Sequence, residues 1–190
     1  MKNIIRLLLT VACIVGLLTA CSEKNNNTTK LAFSLDTNRN YTGFSNLHMH
    51  DTVEDAKKNG YVVVQDSVVI ANNEAWINFV ETAAQGNNSS IRIASFSTEE
   101  DNTSSYYSDV FFKDCYYYLI DSSSDKQNLQ PFSYLLTLEG KFGSQAKDSR
   151  VVVLTNDNAL TFNVVMKSLL SSSMEYKQSV PSYRLVMFFQ

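Results

Sequence analysis

Four residues near the start, Leu18-Thr19-Ala20-Cys21, decide how much of this chain is available to fold. They close an apolar run from Leu7 to Leu18 that Thr10 and Gly16 interrupt, with Lys2 and Arg6 ahead of it. A positive start, an apolar core and small residues before a cysteine have the form of an export signal ending in a lipobox. The run falls short of the about 20 apolar residues that span a bilayer. Cleavage before Cys21 is therefore expected, removing residues 1–20 as a signal peptide and leaving a diacylglyceryl group on the Cys21 thiol. Two acyl chains hold a protein stably on a membrane, whereas one binds only marginally. The expected location is the outer face of the cell membrane, with a lipid on Cys21 as the anchor.

Processing also settles the cysteine arithmetic. Of three cysteines, Cys13 leaves with the signal and Cys21 is lipidated, so the folded part keeps a single thiol, Cys115. An internal disulfide is excluded, and packing must supply the stability. Cys115 is expected to be a buried strand residue. The segment after Cys21 is polar and lacks apolar periodicity, so residues 21–42 read as a flexible tether. Leu31, Phe33 and Leu35 alternate within it and could add an edge strand. Residues 43–190 then form one extracytoplasmic domain, long enough to bury a core. A net charge of −3, with no basic run after the signal, argues against nucleic acid as a partner.

Within that domain the patterning alternates between two periods. Asp51 or Thr52 can cap a short helix that carries acids first, lysines last, and ends at Gly60. Tyr61–Val64 and Val68–Ile70 read as strands. Asn72 is placed to cap a helix over 73–85 whose stripe is Trp76, Phe79, Val80 and Ala83, with Trp76 largely buried. Strands are expected over 91–97, 106–112 and 115–120, forming a meander with a tight turn at Lys113-Asp114. Phe132, Tyr134, Leu136 and Leu138 alternate with Ser133, Leu135, Thr137 and Glu139, a strand showing mostly one face to a core. A buried strand over 150–155 precedes a helix capped by Thr161, with Phe162, Val165, Met166 and Leu169 as its stripe. Residues 183–189 close the chain as a strand. The predicted fold class is α+β: a largely antiparallel β-sheet packed against two longer α-helices, in a single domain.

Some of these segments are familiar. Ala56-Lys57-Lys58-Asn59-Gly60-Tyr61-Val62-Val63-Val64 resembles the opening of an uncharacterised family of small lipoproteins from spore-forming Gram-positive bacteria. Asn72 to Ala84 with Ile91-Arg92-Ile93 resembles its capped helix and following strand. The stretch from Leu154 to Phe162, with Val165-Met166-Lys167, is similar to part of its longer members. Family members often carry an acidic residue where this chain has Tyr61. The family is a domain of unknown function, so the resemblance implies fold and anchoring and supplies no activity.

Four patterns bear on chemistry. His48 and His50, the two histidines of the chain, would share one face of a strand about 6–7 Å apart. His-x-His also occurs in metal-dependent hydrolases built on (β/α)₈ barrels, but those need about 250 residues and further ligands. Ser123–Lys126 and Ser144–Lys147 match Ser-x-x-Lys without opening a convincing helix. The acids Glu99, Glu100 and Asp101 sit together in a loop, not across a cleft as glycosidase chemistry requires. The fourth pattern is Tyr106 and Tyr107 with Tyr116, Tyr117 and Tyr118 on paired strands, where some rings must face outward unless covered. Exposed tyrosines suit a protein, peptide or glycan ligand, although ordinary cross-strand packing is the favoured reading of them. The expectation is a non-catalytic binding module with no cofactor and no metal, the alternative being a metal-dependent hydrolase using His48 and His50.

Overall fold

A computed structural model of the chain describes residues 31–45, 47, 52–98, 105–123 and 129–189. Among them are eight strands in two mostly antiparallel sheets and four helices, in one α+β domain. The first sheet has five strands and the second three, so the single sheet expected from the pattern is divided.

The first helix, α1 (Val53–Lys58), begins where its sequence says it should. The Thr52 hydroxyl accepts from the Asp55 amide at 3.2 Å, and the Asp55 carboxylate accepts from the Thr52 amide at 3.0 Å, a reciprocal cap. Gly60, with φ of 76°, turns the chain left-handed out of the helix. Strands β1 (Val62–Gln65) and β2 (Val68–Ala71) form a hairpin whose two turn residues, Asp66 and Ser67, both have positive φ. That conformation matches the right-handed twist of the strands it joins.

Asn72 precedes α2 (Asn73–Ala84) but does not cap it through its side chain. Its backbone is left-handed (φ 57°), and its amide nitrogen donates to the Lys57 and Tyr61 carbonyls at 3.0 and 2.7 Å. Asn72 thus serves the end of α1, where carbonyls lack helical partners. On α2, Phe79 and Ala83 are buried and Glu74, Asn78 and Glu81 face water, as the stripe predicts. Trp76 is half-buried, packing on Phe79 and the rim of the core cluster, and is less covered than expected.

Strands β3 (Ser89–Phe96), β4 (Ser105–Lys113) and β5 (Tyr116–Asp121) complete the five-stranded sheet in the order β2-β1-β3-β4-β5. The β1–β3 pair is parallel; the others are antiparallel. The three-stranded sheet, order β6-β7-β8, comprises β6 (Tyr134–Phe142), β7 (Lys147–Thr155) and β8 (Tyr183–Phe189). Helix α3 (Phe162–Leu170) and the short α4 (Met174–Ser179), which periodicity did not indicate, lie between β7 and β8 in sequence.

The layers follow from which face of each strand is apolar. Val62, Val64, Ile91, Ile93, Val110, Phe112 and Leu119 pack on α2 and on Val152, Leu154 and Met187 of the second sheet. The far side of that second sheet, Val151 and Val153, is covered by Phe162, Val165 and Met166 of α3. Leu169, expected in the α3 stripe, is 43% exposed; Ser168 takes the inner position in the final turn. Strand β6 lies between two layers, so Leu135 points into one core while Leu136 and Leu138 point into the other. Phe132, expected in that strand, lies before it and forms an isolated bridge with Tyr117.

The outer face of the five-stranded sheet is covered by α1 and by residues 31–45. Leu31, Phe33 and Tyr41 pack on Phe111 and Ile120. Their alternation makes a single bridge, Leu35–Tyr41, and no edge strand of the sheet. The boundary drawn at 42/43 from polar composition therefore falls inside packed chain, since three apolar side chains hold the preceding segment down.

Candidate functional site

The tyrosines of β4 and β5 do not make one surface. Tyr107 is 3% exposed and meets Tyr61 edge-on at 6.2 Å. Tyr117 packs on Phe112 at 4.7 Å, and Tyr118 on Phe33 at 5.2 Å. Tyr106 and Tyr116 are exposed, but the register pairs Tyr106 with Ser95 and Tyr116 with Lys113, at opposite ends of the strand pair. Burial raises the Tyr106 and Tyr117 hydroxyls above their ordinary pKa. The expected row of rings is thus divided because the meander is covered on both faces.

Cys115 is exposed, contrary to the expected buried position. It is the second residue of the β4–β5 turn, where Asp114 and Cys115 have φ of 51° and 67°. Ser144 and Lys147 belong to the β6–β7 hairpin. Cys21, His48, His50, Glu99, Glu100, Asp101 and Lys126 lie outside the described residues. Among the described residues, no group of three His, Cys, Asp or Glu could hold a metal ion, and no helix is long and apolar enough to cross a membrane.

Two charged clusters escaped the sequence reading. The first is under residues 41–44. Asp109, fully buried, accepts from Arg92 Nε and Nη2 and from the Tyr41 hydroxyl, each at 2.6 Å. Arg92 also donates to the Gly43 carbonyl at 2.8 Å and lies between the Phe44 and Tyr61 rings, at 5.2 and 5.4 Å. Burial pushes the Asp109 carboxyl above its ordinary value, against the bonds from Arg92. Burial, with the charge on Asp109, pushes the Tyr41 hydroxyl up. With the donors and the carboxylate paired and water excluded, this cluster is a clasp and offers no open chemistry.

The second cluster is open. The inner face of the three-stranded sheet extends past its apolar core, and its end carries Glu139 and Lys141 on β6, Asp148 and Arg150 on β7, and Phe189 on β8. Cross-strand register sets Glu139 opposite Arg150, Lys141 opposite Asp148, and Arg150 opposite Phe189. Lys141 pairs with Asp148 at 3.0 Å, while the Arg150 guanidinium lies 5.5 Å from the Phe189 ring centre. These side chains border a depression of about 550 Å³. Ser149 borders it too, but is buried and donates its hydroxyl to the Lys147 carbonyl at 3.1 Å.

Such an arrangement can grip a ligand. An arginine stacked on an aromatic ring keeps its planar fork of N–H donors free for a carboxylate. It does not supply a nucleophile paired with a base.

The sequence signal for the clasp was present in Ile91-Arg92-Ile93 and Asp109-Val110-Phe111-Phe112: a single charge beside apolar strand residues, with opposite signs on neighbouring strands. No comparable signal marks the open cluster, since alternating charges on a strand usually mean a solvated face. Compared with models of known protein families, with curated proteins and with solved structures, the chain matches none.

Proposed function

We propose that this chain is a membrane-anchored, extracytoplasmic lipoprotein whose domain is a non-catalytic binding module. The anchor is supported by the sequence from Lys2 to Cys21. The binding role is carried by one observation: Arg150 is exposed, lies over Phe189 beside a depression of about 550 Å³, and has no ion-pair partner among the described residues. A ligand that brings a carboxylate to Arg150 and an apolar group to Phe189 fits it, and an acidic peptide segment of a protein has both.

Two measurements test the two halves. Metabolic labelling with a palmitate analogue should mark the chain and fail on Cys21→Ser; persistent label on that variant would end the anchor reading. For binding, a fluorescein-labelled peptide alternating glutamate and phenylalanine is titrated with the full-length chain in detergent. Saturable anisotropy is expected, with roughly tenfold weaker binding for Arg150→Ala, the scale of one charge-assisted contact. Absence of binding, or equal binding by the variant, overturns the assignment of this ledge.

A further inference from the structure

The ledge ends at an edge. β6 pairs with β7 along its whole length, from Tyr134 opposite Thr155 to Phe142 opposite Lys147, without a bulge. Among the described residues no strand pairs with its other side. The β5 edge of the five-stranded sheet, by contrast, is blunted. β5 is bridged by Phe132, and its Leu119 carbonyl accepts from Arg184, which also pairs with Asp121 at 2.5 Å. Among the described residues β6 has no such cover, so the outward-facing amides and carbonyls of alternate residues along it stand ready to pair.

We infer that β6 is a self-association edge, on which the β6 of a second copy adds antiparallel to join two three-stranded sheets into one. The occupant is argued from charge. On the ledge face the only β6 charges, Glu139 and Lys141, are two residues apart and opposite in sign, flanking Gly140. A two-fold axis at Gly140 sets Glu139 of each copy opposite Lys141 of the other. The existing register then extends the match outward on both sides. One row reads Asp148, Lys141, then Glu139 and Arg150 of the second copy, so signs alternate over four strands. The symmetry generates a second row of the same kind, as an isologous contact requires.

The opposite face agrees. Leu138 meets Phe142 of the second copy, and the axis itself carries no side chain. Glycine is required there by the protomer's own packing, because a Cβ on Gly140 would lie 2.2 Å from the Phe162 ring. The contact is short, five residues of strand from each copy. It therefore lies below the area of a stable soluble dimer and suits copies held at high local concentration. This inference goes beyond the binding reading and does not depend on it.

Sedimentation equilibrium of the full-length chain in detergent, at submillimolar concentration, tests it by charge reversal. The wild type should show a reversible monomer–dimer equilibrium. Glu139→Lys alone, or Lys141→Glu alone, places two like-charge pairs across the axis and should weaken dimerisation roughly tenfold. An equimolar mixture of the two variants restores opposite charges at both pairs and should recover a heterodimer near the wild-type affinity. A wild type that stays monomeric overturns the inference. So does a dimer indifferent to either reversal, or a mixture no tighter than its components.

Discussion

The Tyr41 hydroxyl donates to Asp109 Oδ2 at 2.6 Å, although 68 positions separate the two residues in the chain. The contact joins the segment that precedes α1 to β4 of the five-stranded sheet. Asp109 is held from its other side by the Arg92 fork, and Arg92 reaches back to the Gly43 carbonyl. A closed ring of bonds thus ties residues 41–43 to β3 and β4. Folding this segment down makes it part of the domain.

Removing one member of that ring should cost according to what it leaves behind. Tyr41→Phe keeps the packed ring and deletes one hydrogen bond to a buried carboxylate, so a loss of about 1.5–3 kcal/mol is expected. Asp109→Ala strands the Arg92 charge in the interior and should cost about 3–5 kcal/mol. Urea denaturation of the two variants checks the order. A Tyr41→Phe variant as stable as the wild type would mean that Tyr41 matters for packing alone.

Cys115 supplies a prediction of opposite sign. Its φ of 67° at the β4–β5 turn is a conformation that glycine adopts freely and a residue with a Cβ does not. Cys115→Gly should therefore stabilise the fold by roughly 1 kcal/mol. The exposed thiol should also be labelled by a maleimide under native conditions, read by mass spectrometry of the peptide that contains it. A protected thiol would contradict its place on the turn.

Gly140 is constrained by its neighbour and not by its backbone. A Cβ built there would come within 2.2 Å of the Phe162 ring, so Gly140→Ala should cost about 1–3 kcal/mol by overpacking. In the Phe162→Ala background the added methyl group meets space instead. The two changes should then be strongly non-additive in a double-mutant cycle, and additive costs would show that Phe162 is not the obstacle.

Local periodicity made most elements legible because it reports how each strand or helix meets its nearest layer. α1 to α3 and β1 to β8 all lie near the segments whose pattern indicated them. What periodicity could not convey is which layers meet. Leu135 and Leu136 are both apolar because β6 faces two cores, a fact that resides in the division into two sheets. The tyrosines misled for the same reason, since Tyr107 and Tyr118 are covered by chain distant in sequence, Tyr61 and Phe33. The ledge was least legible of all. Glu139, Lys141, Asp148 and Arg150 acquire meaning when β6 and β7 are registered and Phe189 arrives from the far end of the chain.

The cap of α1 gives a prediction in pH. Asp55 Oδ2 accepts from the Thr52 hydroxyl at 2.6 Å and from the Thr52 amide at 3.0 Å. Those bonds favour the ionised form and hold the carboxyl below its ordinary value of 3.8, the Thr52 hydroxyl being the larger cause. A carboxyl whose pKa is depressed by folding contributes stability that is present above the unfolded-state value and lost as pH falls through the folded one. The start of α1 should therefore hold at neutral pH and loosen only in acid below the ordinary carboxylate range. Following the Asp55 carboxyl by NMR, the midpoint should lie under 3.8 in the wild type and rise toward it in Thr52→Ala, which keeps the amide donor but loses the hydroxyl. The Thr52 amide, which donates to the same carboxylate, should shift with the same midpoint. A wild-type midpoint at or above 3.8, or one unmoved by Thr52→Ala, would show that the reciprocal cap does not form in solution.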